Sequence, residues 1–160
     1  MNAGAILMLA FLGGALSLPR ASDARPLAAS KDWVGTWRLN VSRSSFGGSA
    51  ARGETRTISL SSKTMSVRSS VVDRSGRIAR FHYSVTLDGH FRPLVGNPDG
   101  DSIAMRLISP RKVSIVVRRG PSPSATATAQ VSASQLIMDR HRLKLSGSPS
   151  EDILVYDRVR

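Results

Sequence analysis

Cysteine is absent from this 160-residue chain, so neither a disulfide nor a thiolate metal site can form. Lipid anchoring through a thioether is excluded for the same reason. Without covalent staples the fold must rest on its core, and the chain is long enough to bury one. Acids are also scarce, with 11 Asp+Glu against 23 Lys+Arg. Only Glu54 and Glu151 are glutamates, which leaves a paired-carboxylate hydrolase few candidates. No Gly-x-Ser-x-Gly elbow is present among the many serines. Asp88, Asp99 and Asp101 stand beside Gly and Pro, where Asp serves turns through its own backbone. No catalytic constellation emerges, so the chain is expected not to be an enzyme.

Metal and cofactor signatures are missing as well. His82, His90 and His141 lack the partners and spacing that converge on zinc. Asn97-x-Asp99-x-Asp101 places oxygen ligands at alternate positions, but Ser102 stands where a calcium loop needs Gly and Ile108 where it needs Glu. The expectation is an Asx-type turn, with no metal and no cofactor.

A single long apolar run exists, from Ala5 to Leu18. It is short for a membrane-spanning helix and suits the core of a secretory signal, with small residues at Ser22-Asp23-Ala24 for cleavage after Ala24. The flank before it, Met1 to Gly4, carries no Lys or Arg. The expected organisation is a cleavable signal peptide over 1–24, a linker over 25–31 and one domain over 32–160. A periplasmic or secreted address follows, with no transmembrane segment after cleavage. Removing 1–24 leaves the net charge at +12.

Downstream, apolar residues recur at every second position, the period of a half-buried strand. Strands are predicted over Thr36–Val41, Glu54–Leu60, Met65–Val72, Ala79–Leu87, Ser102–Ile108, Lys112–Arg119, Ala125–Val131, Gln135–Leu145 and Ile153–Val159. In the clearest, Ala79, Phe81, Tyr83, Val85 and Leu87 share one face and Arg80, His82, Ser84 and Thr86 the other. Asp73-Arg74-Ser75-Gly76 and Asp88-Gly89 are hairpin signals. Many short strands without a long helix argue an all-β sandwich or antiparallel barrel, and closure into a barrel has the advantage of removing exposed edges.

The stretch Trp33-Val34-Gly35-Thr36-Trp37-Arg38-Leu39-Asn40 contains the glycine-x-tryptophan entrance of lipocalins. Together with Tyr83 to Gly89, Gly96 to Asp101 and Val155-Tyr156-Asp157-Arg158, it resembles a family of uncharacterised exported bacterial lipocalin-like proteins, of the calycin type. The resemblance covers nearly all of the chain after residue 24. It implies a single up-and-down antiparallel barrel of about 8–10 strands. It also implies that Gly35, Trp37 and Arg158 form the structural signature, with the guanidinium over the indole. The chain departs from the family at Ser132-Ala133-Ser134-Gln135, where an Asp-Gly hairpin is usual, and the register of the last three strands stays open. No activity or ligand is implied.

In a barrel the rows Phe81-Tyr83-Val85, Met105 and Ile115-Val117 would face inward. These six are the candidate lining for a small apolar or amphipathic ligand. The same rows are compatible with a core filled by its own side chains, and the sequence leaves both open. The bases, among them Arg38, Arg43, Arg52, Arg56, Arg68, Arg74, Arg77 and Arg80, are spread singly. That spacing is expected of a generally basic surface. The second reading is therefore an envelope-associated protein that contacts anionic polymers through that surface. Nucleic acid is disfavoured, because alternation puts Phe81 and Tyr83 on the face opposite Arg80.

Overall fold

The structure is a computed structural model that describes residues 27–48, 50–143 and 149–159. The predicted signal peptide lies outside the described residues. Eleven strands form one sheet: β1 (Gly35–Leu39), β2 (Ser45–Phe46), β3 (Gly53–Ser61), β4 (Thr64–Val72), β5 (Ile78–Thr86), β6 (Arg92–Val95), β7 (Ser102–Ser109), β8 (Lys112–Arg119), β9 (Ser122–Val131), β10 (Gln135–Arg142) and β11 (Ser150–Arg158). Each strand from β3 to β11 pairs antiparallel with the next, and β1 pairs with both β3 and β11. The result is a closed ten-strand antiparallel barrel, with β2 as a short addition beside β11. Among the described residues the helices are single 3-10 turns, and none is long and apolar enough to cross a membrane.

Between β1 and β2 the chain makes a 3-10 turn over Val41–Arg43, capped by Asn40 Oδ1, which accepts from the Arg43 N–H at 3.2 Å. β11 therefore runs against β1 at one end (Leu39 opposite Tyr156) and against β2 at the other (Phe46 opposite Asp152). β6 is similarly short, joined to β5 at His82–Val95 and Tyr83–Leu94. Asp88-Gly89 lies at the tip between them, as its composition predicts, but the tip leans onto β7. The Gly89 N–H donates to the Met105 carbonyl at 2.8 Å, and Asp88 stands opposite Arg106. At the departure from the family pattern, the Ser132 N–H donates to the Gln135 carbonyl at 2.8 Å in a four-residue turn that sets Leu136 opposite Val131.

One end of the barrel is closed by the segment that precedes β1. Trp33 and Trp37 are fully buried there. The Trp37 indole N–H donates to the Trp33 carbonyl at 3.1 Å, and that of Trp33 to the Pro110 carbonyl at 3.0 Å. The Arg158 guanidinium lies 4.2 Å from the centre of the Trp37 ring. It donates to three carbonyls, of Ala133 (2.6 Å), Val34 (2.6 Å) and Asp32 (2.5 Å), so one side chain ties together the β9–β10 turn, the plug and the last strand. Gly35 has φ +143, and a Cβ there would come 2.6 Å from Arg158 Nη1. The glycine of the entrance motif thus makes room for the arginine that caps its tryptophan.

Above this plug the closed end is solid, filled by Ile58, Met65, Val67, Val85, Met105, Val113, Val131 and Leu136. Alternation does the sorting: in β9 the low-complexity run turns Ala125, Ala127 and Ala129 inward and leaves Thr128 and Gln130 outside. Trp37→Ala is expected to cost about 3–5 kcal/mol, the usual loss on emptying a buried aromatic site. Urea denaturation followed by circular dichroism measures it, and a double-mutant cycle with Arg158→Met should show coupling between the two positions.

Candidate functional site: a cavity at the open end

The opposite end of the barrel is hollow. A cavity of about 520 Å³ opens there, walled by Leu39, Phe46, Val71, Phe81 and Leu154 and rimmed by the β4–β5 hairpin at Asp73–Arg77 and the loop at Asn97–Asp99. A smaller void of about 60 Å³ continues inward between Phe81, Tyr83, Leu94, Ile115, Val117 and Met138. Small side chains keep this region from filling, since Ala125 and Ala127 occupy inward positions that larger residues would close. Of the six predicted lining residues, Phe81 borders both spaces and Tyr83, Ile115 and Val117 border the inner one. Val85 and Met105 lie in the packed half, buried against their neighbours.

The rim loops take their shape from short side chains bonding to nearby backbone. Asn97 Oδ1 accepts from the Asp99 N–H at 2.7 Å, and Asp101 Oδ2 accepts from the Gly120 N–H at 2.7 Å. Asp73 Oδ1 accepts from the Arg77 N–H at 2.9 Å, and the Ser75 hydroxyl donates to the same oxygen at 2.6 Å. These bonds hold the Asp73 carboxyl below the usual carboxylate range. Among the described residues, no group of three His, Asp or Glu is placed to hold a metal ion.

Charge lies on the inner wall, where spacing alone assigned it to the surface. Arg56 is 5% exposed and Glu54 6%, both pointing into the barrel beside Tyr156. Arg56 donates from Nε (3.1 Å) and Nη2 (2.7 Å) to Glu54 Oε1, and the Tyr156 hydroxyl donates to Glu54 Oε2 at 2.8 Å. The Arg56 guanidinium also lies 5.1 Å from the centre of the Tyr156 ring. Burial alone would raise the Glu54 carboxyl, but Arg56 and the hydrogen bonds outweigh it, and the net displacement is downward. Burial, reinforced by the Glu54 carboxylate, pushes the Tyr156 hydroxyl upward, so it stays a proton donor at neutral pH.

A second cluster stands on β10 and β11. Arg140 donates from Nε (3.0 Å) and Nη2 (2.8 Å) to Asp152 Oδ2, and Arg142 Nε lies 3.3 Å from the same oxygen. Asp152 is 1% exposed. Arg56, Arg140 and Arg142 all line the cavity. None of these residues stands among the sequence candidates, yet the period-2 pattern held the signal. Ile58 faces inward, so Arg56 and Glu54 must too. Leu136 and Met138 carry Arg140 and Arg142 with them, and Tyr156 and Leu154 carry Asp152.

No family model and no curated sequence matches the chain. Among solved structures, it is similar to one described as a REP1-NXSQ fatty acid transporter. The TM-score is 0.54 at 17% identity, covering 82% of this chain and 98% of that one. A single-substitution mutant of that transporter gives 0.53, also at 17% identity, over 81% and 100%. The siderocalin Ex-FABP is more distant, with a TM-score of 0.39 at 14% identity over 80% and 74%. At 17% identity the likeness to the transporter establishes the architecture alone. The chain has the fold of a calycin-type β-barrel, and its ten strands exceed the eight of a lipocalin by two.

Removing one partner of the buried pair should expose its electrostatic role. Glu54→Gln is expected to cost about 3–5 kcal/mol at neutral pH, because Arg56 is left as an uncompensated buried charge. The folded-state carboxyl titrates below its ordinary value of 4.5, so its contribution is complete above that pH and is lost as the pH falls through the lower, folded value. Urea midpoints recorded from pH 7 down to pH 3 should therefore fall more steeply for the wild type than for the variant.

Proposed function

We propose that this chain is an exported, non-enzymatic binding protein that carries a small apolar or amphipathic molecule in the open end of its barrel. The observation that carries the reading is the 520 Å³ cavity above a solid lower half. Its size lies within the range of small-molecule sites, and its lining combines apolar side chains such as Leu39, Phe46, Phe81 and Leu154 with convergent charged groups. The buried carboxylates near it are each engaged by an arginine, an arrangement that suits holding a ligand more than proton transfer. The fold is shared with a structure described as a fatty acid transporter, which supports the class without fixing the cargo. Phe81, Tyr83, Ile115 and Val117 are the proposed contacts for the apolar part of the ligand.

The test is saturable binding of the neutral dye Nile red, together with native mass spectrometry for a co-purifying small molecule. Val71→Trp places an indole in the cavity wall and is expected to weaken dye binding by about tenfold or more while the circular-dichroism spectrum is unchanged. A folded wild-type protein that neither binds the dye nor retains a small molecule would overturn the proposal.

A further inference from the structure

Spacing along the chain scatters the bases singly, but strand register gathers a group of them on one outer wall of the barrel. Arg38, Arg68, Arg80 and His82 face outward and are exposed, on β1, β4 and β5. The pairing sets Arg68 opposite His82, and it lines up Arg38, Thr55, Ser70 and Arg80 in one row across neighbouring strands. Strand spacing puts the arginines at the two ends of that row roughly 14 Å apart, with Arg80 and His82 about 7 Å apart along β5. A shallow depression of about 350 Å³ lies on this wall, bordered by Thr55, Thr57, Arg68, Ser70, Arg80 and His82.

These cations have no ion-pair partner among the described residues, whereas Arg43, Arg77, Arg92 and Arg111 elsewhere each have one. The cause is where the acids stand. Among the described residues, the carboxylates that face outward from strands are Asp139, Glu151 and Asp157, all on β10 and β11. The wall ends at Asp157, opposite Arg38, and that carboxylate is engaged by the Asn40 amide at 2.7 Å and by Arg43 at 3.6 Å. Between the arginines of the row stand only hydroxyl side chains.

We propose that this wall binds an acidic polysaccharide, with the arginines on its anionic groups and the Ser and Thr hydroxyls on the sugar hydroxyls between them. Unmatched cations gain by displacing the counterions of a polyanion, and a guanidinium meets a carboxylate or sulfate through charge-assisted hydrogen bonds. A hydroxyl both donates and accepts, as a sugar hydroxyl requires of its partner. Single-stranded nucleic acid fits less well, because its bases call for stacking rings. Phe81 and Tyr83 turn inward here, which leaves the His82 imidazole as the one ring on the wall among the described residues. The site is outside the barrel, so the inference goes beyond the carrier reading and does not depend on the cavity.

Binding of the full chain to immobilised polygalacturonate, dextran sulfate and neutral dextran at several salt concentrations tests this, the first two separating carboxylate from sulfate recognition. At least one acidic polymer is expected to bind with an affinity that falls as salt rises, and neutral dextran is expected not to bind. The triple variant Arg38→Gln, Arg68→Gln, Arg80→Gln should lower the affinity about tenfold or more and flatten the salt dependence. A control triple, Lys31→Gln, Arg106→Gln, Lys112→Gln, removes the same charge from other surfaces and should change the affinity less than about threefold, since screening confines each charge to its neighbourhood. Circular dichroism checks both folds, and Arg80→Gln against Lys112→Gln carries the comparison if a triple variant does not fold. Equal losses in the two variants would assign the binding to net charge and overturn the inference. Tighter binding of oligo-dT than of either acidic polysaccharide, or no binding of the wild type to either, overturns it as well.

Discussion

The barrel depends on β1 being hydrogen-bonded along both edges. A sheet of strands as apolar as Val113 to Val117 would otherwise end in two open ladders, each a template for another chain. β1 is only five residues long, and what holds it is the contact around Trp37, which is stacked under Arg158, an arginine that reaches three carbonyls in two separate segments. Closure then fixes an inside and an outside for every strand. One parity of each strand fills the core, and the other meets water.

Because closure and plug coincide at one end, the molecule is asymmetric along its axis. Large apolar side chains gather where the two tryptophans sit, and they are buried against one another there. Toward the other end the inward positions include alanines, which leave volume empty, and arginines and acids, which make the wall polar. Such groups do little for stability, since desolvating an ion pair offsets most of its attraction. They line the cavity at this end, and the proposed carrier reading draws on that placement. The charge is arranged so that Glu54, Arg56 and Tyr156 satisfy one another at depth, while the arginines nearer the rim outnumber their carboxylates.

The all-β class, the position of nearly every strand and the identity of the end-cap were legible in the sequence. Alternation of apolar and polar residues is a local property, and the Gly35-Thr36-Trp37 motif is local as well. The inward faces of Phe81, Tyr83, Ile115 and Val117 followed from the same alternation. Arg56 shows where that reading went astray. Its type placed it on the surface although its parity, shared with Ile58, placed it in the core. Charged residues are assigned outward by habit because an isolated buried charge is prohibitive. The partners that make burial tolerable lie two residues away in Glu54 and some hundred residues away in Tyr156.

Whether the interior is solid or hollow was left to tertiary structure. Cavity volume is the difference between the space a barrel encloses and the side chains sent into it, and both terms depend on strand number, tilt and register. Alternation cannot supply these, because it says which face a residue takes and nothing about its height along the axis. The sequence by itself determined a cysteine-free, all-β chain with a tryptophan-capped entrance and two faces per strand. Only the closed fold decided that Val85 and Met105 stand in the packed half and Phe81 in the hollow one. It alone brought Arg140, Arg142 and Asp152 together at the mouth, since the pairing of β10 with β11 sets these heights through hydrogen bonds between segments distant in the chain.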